Sequence, residues 1–172
     1  MLRTILTAAA IFTSSQVFAL TKQIDVVGLI PGVSSKLDFI KVEKGDTGIT
    51  NVIGGYEMVC VDSYIDTSLS RLLCTFGDAR ISTASNETIY QTLKSGFTKK
   101  FGAPKVFDSV TSNKMGTKFS QQIVVWKDQK GNELSIMKRF SKIDEGLLHL
   151  RSAKQIQVDV QDAVAEEKSR KF

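Results

Sequence analysis

SNETIYQTLKSGFTKKFGAP, residues 85–104, carries the plainest structural instruction in this chain of 172 residues. Ser85 stands where an N-cap hydroxyl belongs, Glu87 sets a negative charge at the positive helix end, and Gly102 followed by Pro104 supplies a stop. Between them Ile89, Leu93, Phe97 and Phe101 recur every four residues and form one apolar stripe. Core packing is the ordinary use of such a stripe, and a partner-binding groove is the other. Gly96 costs about 1 kcal/mol relative to Ala inside a helix, and it predicts close packing against a sheet.

Downstream of Pro104 the apolar period changes from four to two. Val106–Val110 reads as a strand and Asn113–Gly116 as a turn. Phe119–Trp126 and Glu133–Arg139 read as strands around Asp128-Gln129-Lys130-Gly131, with Gly131 suited to the left-handed position. Asp144-Glu145-Gly146 marks a further turn, and Leu147–Ser152 a final strand. Val124 and Trp126 share one face of their strand, whereas Phe119, Ile123 and Val125 share the other. Apolar residues on both faces imply a central strand or a partly covered outer face. Residues 159–172 are rich in charge and helix-prone, without a strong apolar stripe, and predict a loosely docked or frayed tail.

Upstream, Gln23–Leu29 is a short strand candidate and Pro31-Gly32 a turn. Ser34 or Ser35 can cap a short helix running to about Val42, with Leu37 and Ile40 at helical spacing and Phe39 beside them. Tyr56–Ile65 and Leu69–Phe76 read as two strands joined by Asp66-Thr67-Ser68. Each holds one of the two cysteines, Cys60 and Cys74, with no His or third Cys nearby in sequence to make a metal site. A disulfide between these strands is the favoured reading. A redox-active pair, the alternative, would ordinarily use a Cys-x-x-Cys spacing that the chain lacks.

The N-terminus gives an address. Met1-Leu2-Arg3, the apolar stretch Ile5–Phe12 and the small-residue end Val17-Phe18-Ala19 form a secretory signal peptide over residues 1–19, with cleavage expected after Ala19. A short buried helix is the alternative for this segment, which is too short to span a bilayer. A single α+β domain is expected over residues 20–158, an antiparallel sheet with helices packed on one face in helix-then-strands units. The periplasm or the extracellular space would be its location, and both permit the disulfide.

Composition narrows the chemistry. The formal charge of +5 and the scattered lysines fit a solvated surface and argue against a nucleic-acid partner. One His among 172 residues leaves no multi-His zinc set. His149, in Leu147-Leu148-His149-Leu150, reads as a sheet-face residue with a structural hydrogen bond. Adjacent carboxylates at Asp144-Glu145 and Glu166-Glu167 diverge from one another and lack the facing geometry of two-carboxylate hydrolysis. Gly54-Gly55 is too short to be a phosphate loop. Asn86-Glu87-Thr88 matches a glycosylation sequon. No catalytic, cofactor or metal set is therefore expected.

Two stretches carry a family resemblance. Ile30-Pro31-Gly32-Val33-Ser34-Ser35 opens a helix followed by paired strands, and Lys100-Phe101-Gly102-Ala103-Pro104 leads from the second helix towards Val124-Val125-Trp126. This plan resembles the SmpA/OmlA (BamE-like) family and the fold of the β-lactamase inhibitor protein. The resemblance implies protein binding as the class of activity. The expected function is an exported protein-binding module of the cell envelope, acting as an assembly factor or an enzyme inhibitor on an envelope or secreted protein. The alternative is a small hydrolase or ligand carrier using dispersed residues such as His149, Asp144 and Ser152.

Overall fold

Among the described residues, one antiparallel sheet and three serine-capped helices make up the architecture. In order, the elements are α1 (Lys36–Ile40), β1 (Asn51–Ile53), β2 (Tyr56–Ile65), β3 (Ser68–Phe76), α2 (Asn86–Phe101), β4 (Lys105–Ser112), β5 (Lys118–Lys127), β6 (Glu133–Met137), β7 (Gly146–Arg151) and α3 (Ala153–Ser169). The computed structural model describes residues 22–170, apart from 47, 49, 82, 113, 114, 141 and 143. The expected signal peptide lies outside the described residues, as do Asn113 and Lys114 of one expected turn.

The strands form one seven-stranded antiparallel sheet in the order β1-β2-β3-β7-β6-β5-β4. Asp66 and Thr67 both take positive φ, 49° and 69°, so the β2–β3 turn has the twist that two-residue hairpins favour. Between β5 and β6 the buried Asp128 carboxylate accepts from the backbone N–H of Lys130 and Asn132, each at 2.9 Å, and Gly131 takes φ 82°. The same carboxylate accepts from Ile24 N–H at 3.2 Å, tying the start of the described chain to this turn. Pairing of β3 with β7 joins the cysteine hairpin to the later meander, setting Leu72 against Leu150 and Cys74 against Leu148. Cys60 and Cys74 are direct cross-strand partners and are bonded to each other.

On the inner face, Met58, Leu72, Cys74, Phe76, Leu148, Leu150, Leu134, Ile136, Val124 and Trp126 are buried against α1 and α2. Burying a side chain of this size stabilises by about 1.5–3 kcal/mol, which makes this layer the main source of cohesion. Ser85 caps α2, accepting from Thr88 N–H at 3.2 Å. Ile89, Leu93 and Phe101 are buried as the stripe requires, and Phe97 packs edge-on against Trp126 at 5.8 Å between ring centroids. Trp126 donates Nε1–H to the Gly102 carbonyl at 2.9 Å, and Tyr90 donates to Gln122 at 2.9 Å.

Several local expectations need correction. Gln23–Leu29 is not a strand: Val26 and Leu29 exchange both backbone hydrogen bonds across a tight turn, with Val27 at φ 48° and Gly28 at φ 84°. Its apolar residues Ile24, Val26 and Leu29 are buried all the same, so hydrophobicity alone imitated a strand. Ser35 does cap α1, in a reciprocal capping box with Asp38, but the helix has only five residues and turns just Phe39 inward. Leu37 and Ile40 are exposed. Gly96 marks no close packing, because a Cβ built there would meet nothing within 4 Å. Strand β6 ends at Met137, not Arg139, and β7 ends at Arg151. Ser152, expected in that last strand, instead caps α3 and accepts from Gln155 N–H at 3.1 Å. That cap starts the helix at Ala153, ahead of the Asp159 at which the helix-prone tail was expected. The three-residue edge strand β1 has no counterpart among the strands expected from the sequence.

Candidate functional site

Alternation along each strand sends the odd-numbered residues of the central strands to the face opposite α1 and α2. The register sets these side chains in rows across the sheet. One row runs Val61, Leu73, His149, Ser135, Val125 and Lys105, from β2 to β4. A second runs Val59, Thr75, Leu147, Met137, Ile123 and Phe107 over the same strands. Val61 is 62% exposed and Phe107 45%, so the apolar character reaches solvent at both sides of the sheet. Towards the middle, Val125 and Leu147 are buried and Leu73, His149, Met137 and Ile123 are partly buried. Sequence reasoning found part of this face, at Phe119, Ile123 and Val125. It missed Val59, Val61, Leu73, Phe107 and Met137, whose signal was the alternate apolar positions of their own strands.

A third row, Ser63, Arg71, Arg151, Glu133 and Lys127, is charged. Here α3 is fastened to the outer face. Asp159 accepts from both Arg71 and Arg151, the latter at 3.0 Å, and Gln155 donates to it at 2.8 Å. Burial works against the Asp159 charge, but the hydrogen bonds from Gln155 and Arg151 and the two guanidinium charges hold its carboxyl below the ordinary aspartate value. Arg151 also pairs with Glu133. Beyond Asp159 the residues of α3 are exposed, Val160 and Val164 among them.

His149 sits between Leu73 and Ser135 of the flanking strands, two residues from Arg151. Burial first, then the Arg151 and Arg71 charges, push its pKa down to about 4, against the pull of Asp159 and Glu133. The ring is neutral at pH 7. His149 does lie on a sheet face, but its Nε2 is buried without a hydrogen-bond partner. The dispersed residues of the hydrolase alternative are not assembled around it. Ser152 is held by its capping bond to Gln155, and Asp144 lies in the turn before β7, at the end opposite Arg151.

Among the described residues, no group of three or more His, Cys, Asp or Glu could hold a metal ion. No described helix is long and apolar enough to cross a membrane. Asn86 of the sequon is buried at the start of α2 and donates its amide to the Lys138 carbonyl at 2.6 Å, which makes it a poor acceptor for a sugar. What the arrangement offers is a broad, mainly apolar sheet face with a charged margin. No protein-family model, curated protein or solved structure matches this chain.

Proposed function

We propose that the chain is an exported protein-binding module whose outer sheet face docks an envelope or secreted protein. The single observation that carries this reading is the mainly apolar surface of those two rows, open to solvent at Val61 and Phe107. Protein interfaces are built around such exposed apolar patches. Val61 and Phe107 stand five strand spacings apart, about 24 Å, which suits a macromolecular surface better than a small ligand. The Cys60–Cys74 disulfide supports an oxidising compartment, and residues 1–19 support export to it. The order α1-β1-β2-β3 followed by α2-β4-β5-β6-β7 is the helix-then-strands plan on which the likeness to the SmpA/OmlA family and the β-lactamase inhibitor protein rests. Assembly factor and enzyme inhibitor are the two forms this binding would take.

Substitution at the two exposed ends tests the proposal. Val61→Glu combined with Phe107→Glu leaves the buried core untouched, so the melting temperature stays near that of the parent. Recovery of the partner from an envelope extract falls at least about tenfold, as expected when a charge is buried unpaired in an interface. Undiminished recovery by a folded double variant contradicts the proposal.

A further inference from the structure

The start of α3, the start of β3, the β5–β6 turn and the chain just before α1 close round a recess of about 340 Å³. Such a volume is at the small end of ligand sites. It shares no residue with the two apolar rows of the outer face. Ser63 pairs with Arg71 and Tyr64 with Leu69, so Ser70 is the extra residue of a β-bulge, and it lines the recess. Ser70 is only 2% exposed, its carbonyl accepts from Ser152 N–H at 2.8 Å, and its Oγ has no hydrogen-bond partner. Buried hydroxyls are nearly always paired, because an unpaired one gives up its hydration for nothing. An oxygen atom entering the recess would supply the missing partner.

The N-terminus of α3 opens on the same recess through Ser152, Ala153 and Lys154. Ala153 N–H donates to Asn132 Oδ1 at 3.0 Å, Gln155 N–H to Ser152 Oγ at 3.1 Å and Ile156 N–H to the Ser152 carbonyl at 3.0 Å. Of the first-turn donors, that leaves Lys154 N–H with no acceptor among the described residues. Helix N–H groups point out of the N-terminus, and the 17 residues of α3 add the positive end of their dipole there. Side chains reinforce that sign. Lys130, Lys154 and Asp66 are the charged residues of the lining. Asp66 pairs with Lys154, whereas Lys130 has no acidic partner among the described residues. One full positive charge therefore stands uncompensated beside an unpaired hydroxyl and an unpaired N–H.

We infer that this recess binds the phosphate group of a small anion, inorganic phosphate or a phosphate monoester, its oxygens shared among Ser70 Oγ, Lys154 N–H and the Lys130 ammonium. Donors from three separate elements suit a tetrahedral dianion, whose oxygens point apart, better than a flat carboxylate. Pro31, Val33 and Ile65 of the wall would lie along the organic part of an ester. The inference does not rest on protein docking at the outer face and would stand if that reading fell.

The test is an amide NMR titration of the purified disulfide-bonded protein at constant ionic strength, above neutral pH, with inorganic phosphate and phenyl phosphate as probes. The Lys154 amide shifts saturably with phosphate. Tighter binding of phenyl phosphate assigns the site to an ester, and equal or weaker binding to the free ion. Ser70→Ala removes an unpaired hydroxyl, so the melting temperature without phosphate holds or rises while binding weakens at least about fivefold. Lys130→Gln weakens binding by a similar factor, and Lys168→Gln, at the far end of α3, leaves it unchanged. Three results each overturn the inference: no saturable shift at Lys154 with either probe, parental binding by a folded Ser70→Ala or Lys130→Gln protein, or an equal loss in Lys168→Gln.

Discussion

At the scale of single residues, the clearest physical tension is at His149. A folded pKa of about 4 against an ordinary 6.5 means that the unfolded chain takes up a proton which the folded sheet resists. Stability from this group is therefore full above pH 6.5, declines as pH falls towards 4, and changes no further below. Allowing for the partial exposure of the ring, the loss is on the order of 2 kcal/mol. Urea midpoints measured from pH 7 to pH 4 should show that decline in the parent and a shallower one in His149→Gln. The cysteines present a simpler case. Replacing both Cys60 and Cys74 by Ser frees the β2–β3 loop in the unfolded chain and should cost about 3 kcal/mol, read from the shift in denaturant midpoint. This pair was legible from the sequence because each Cys sits inside a short β-like run. The tight turn at Val27 was not legible, since nothing local announces a valine at positive φ.

At the scale of elements, capping chemistry decided what could be read. Ser85 and Ser35 start α2 and α1 as their sequence positions predict, because a cap acts within three residues of itself. Ser152 bears the same signal for α3, but it follows the apolar run Leu147–Leu150 and was absorbed into that strand. Leu37 and Ile40 have helical spacing, yet α1 is too short to bury more than Phe39. In α2, Gly96→Ala adds a methyl group to open space and should raise stability by about 1 kcal/mol, measured by chemical denaturation. The anchor of α3 makes an opposite prediction. Asp159→Ala removes the shared partner of Arg71 and Arg151 and should cost about 1–2 kcal/mol, given how much of these side chains solvent still reaches. Hydrogen exchange should quicken along α3 while the amides of β3 and β7 keep their protection.

At the scale of the whole molecule, the α+β class followed from the alternation of a four-residue period with a two-residue one. The full strand order did not. Pairing of β3 with β7 joins Leu72 to Leu150 across roughly half of the described chain, and no local pattern sets such a register. The candidate site depends on it, since the rows from Val61 to Lys105 and from Val59 to Phe107 exist only once that ladder closes. Individual apolar residues of the outer face could thus be read in strands such as β5, but their assembly into one continuous surface could not.

Docking of a protein on that surface is most directly tested by photo-crosslinking in the native envelope. A crosslinking side chain is placed in turn at Val61, at Phe107 and, on the exposed helix side, at Ser95. Val61 and Phe107 are expected to capture one and the same protein while Ser95 captures none of it. Capture of that protein from Ser95, with Val61 and Phe107 silent, would place the docking surface on the helix side instead.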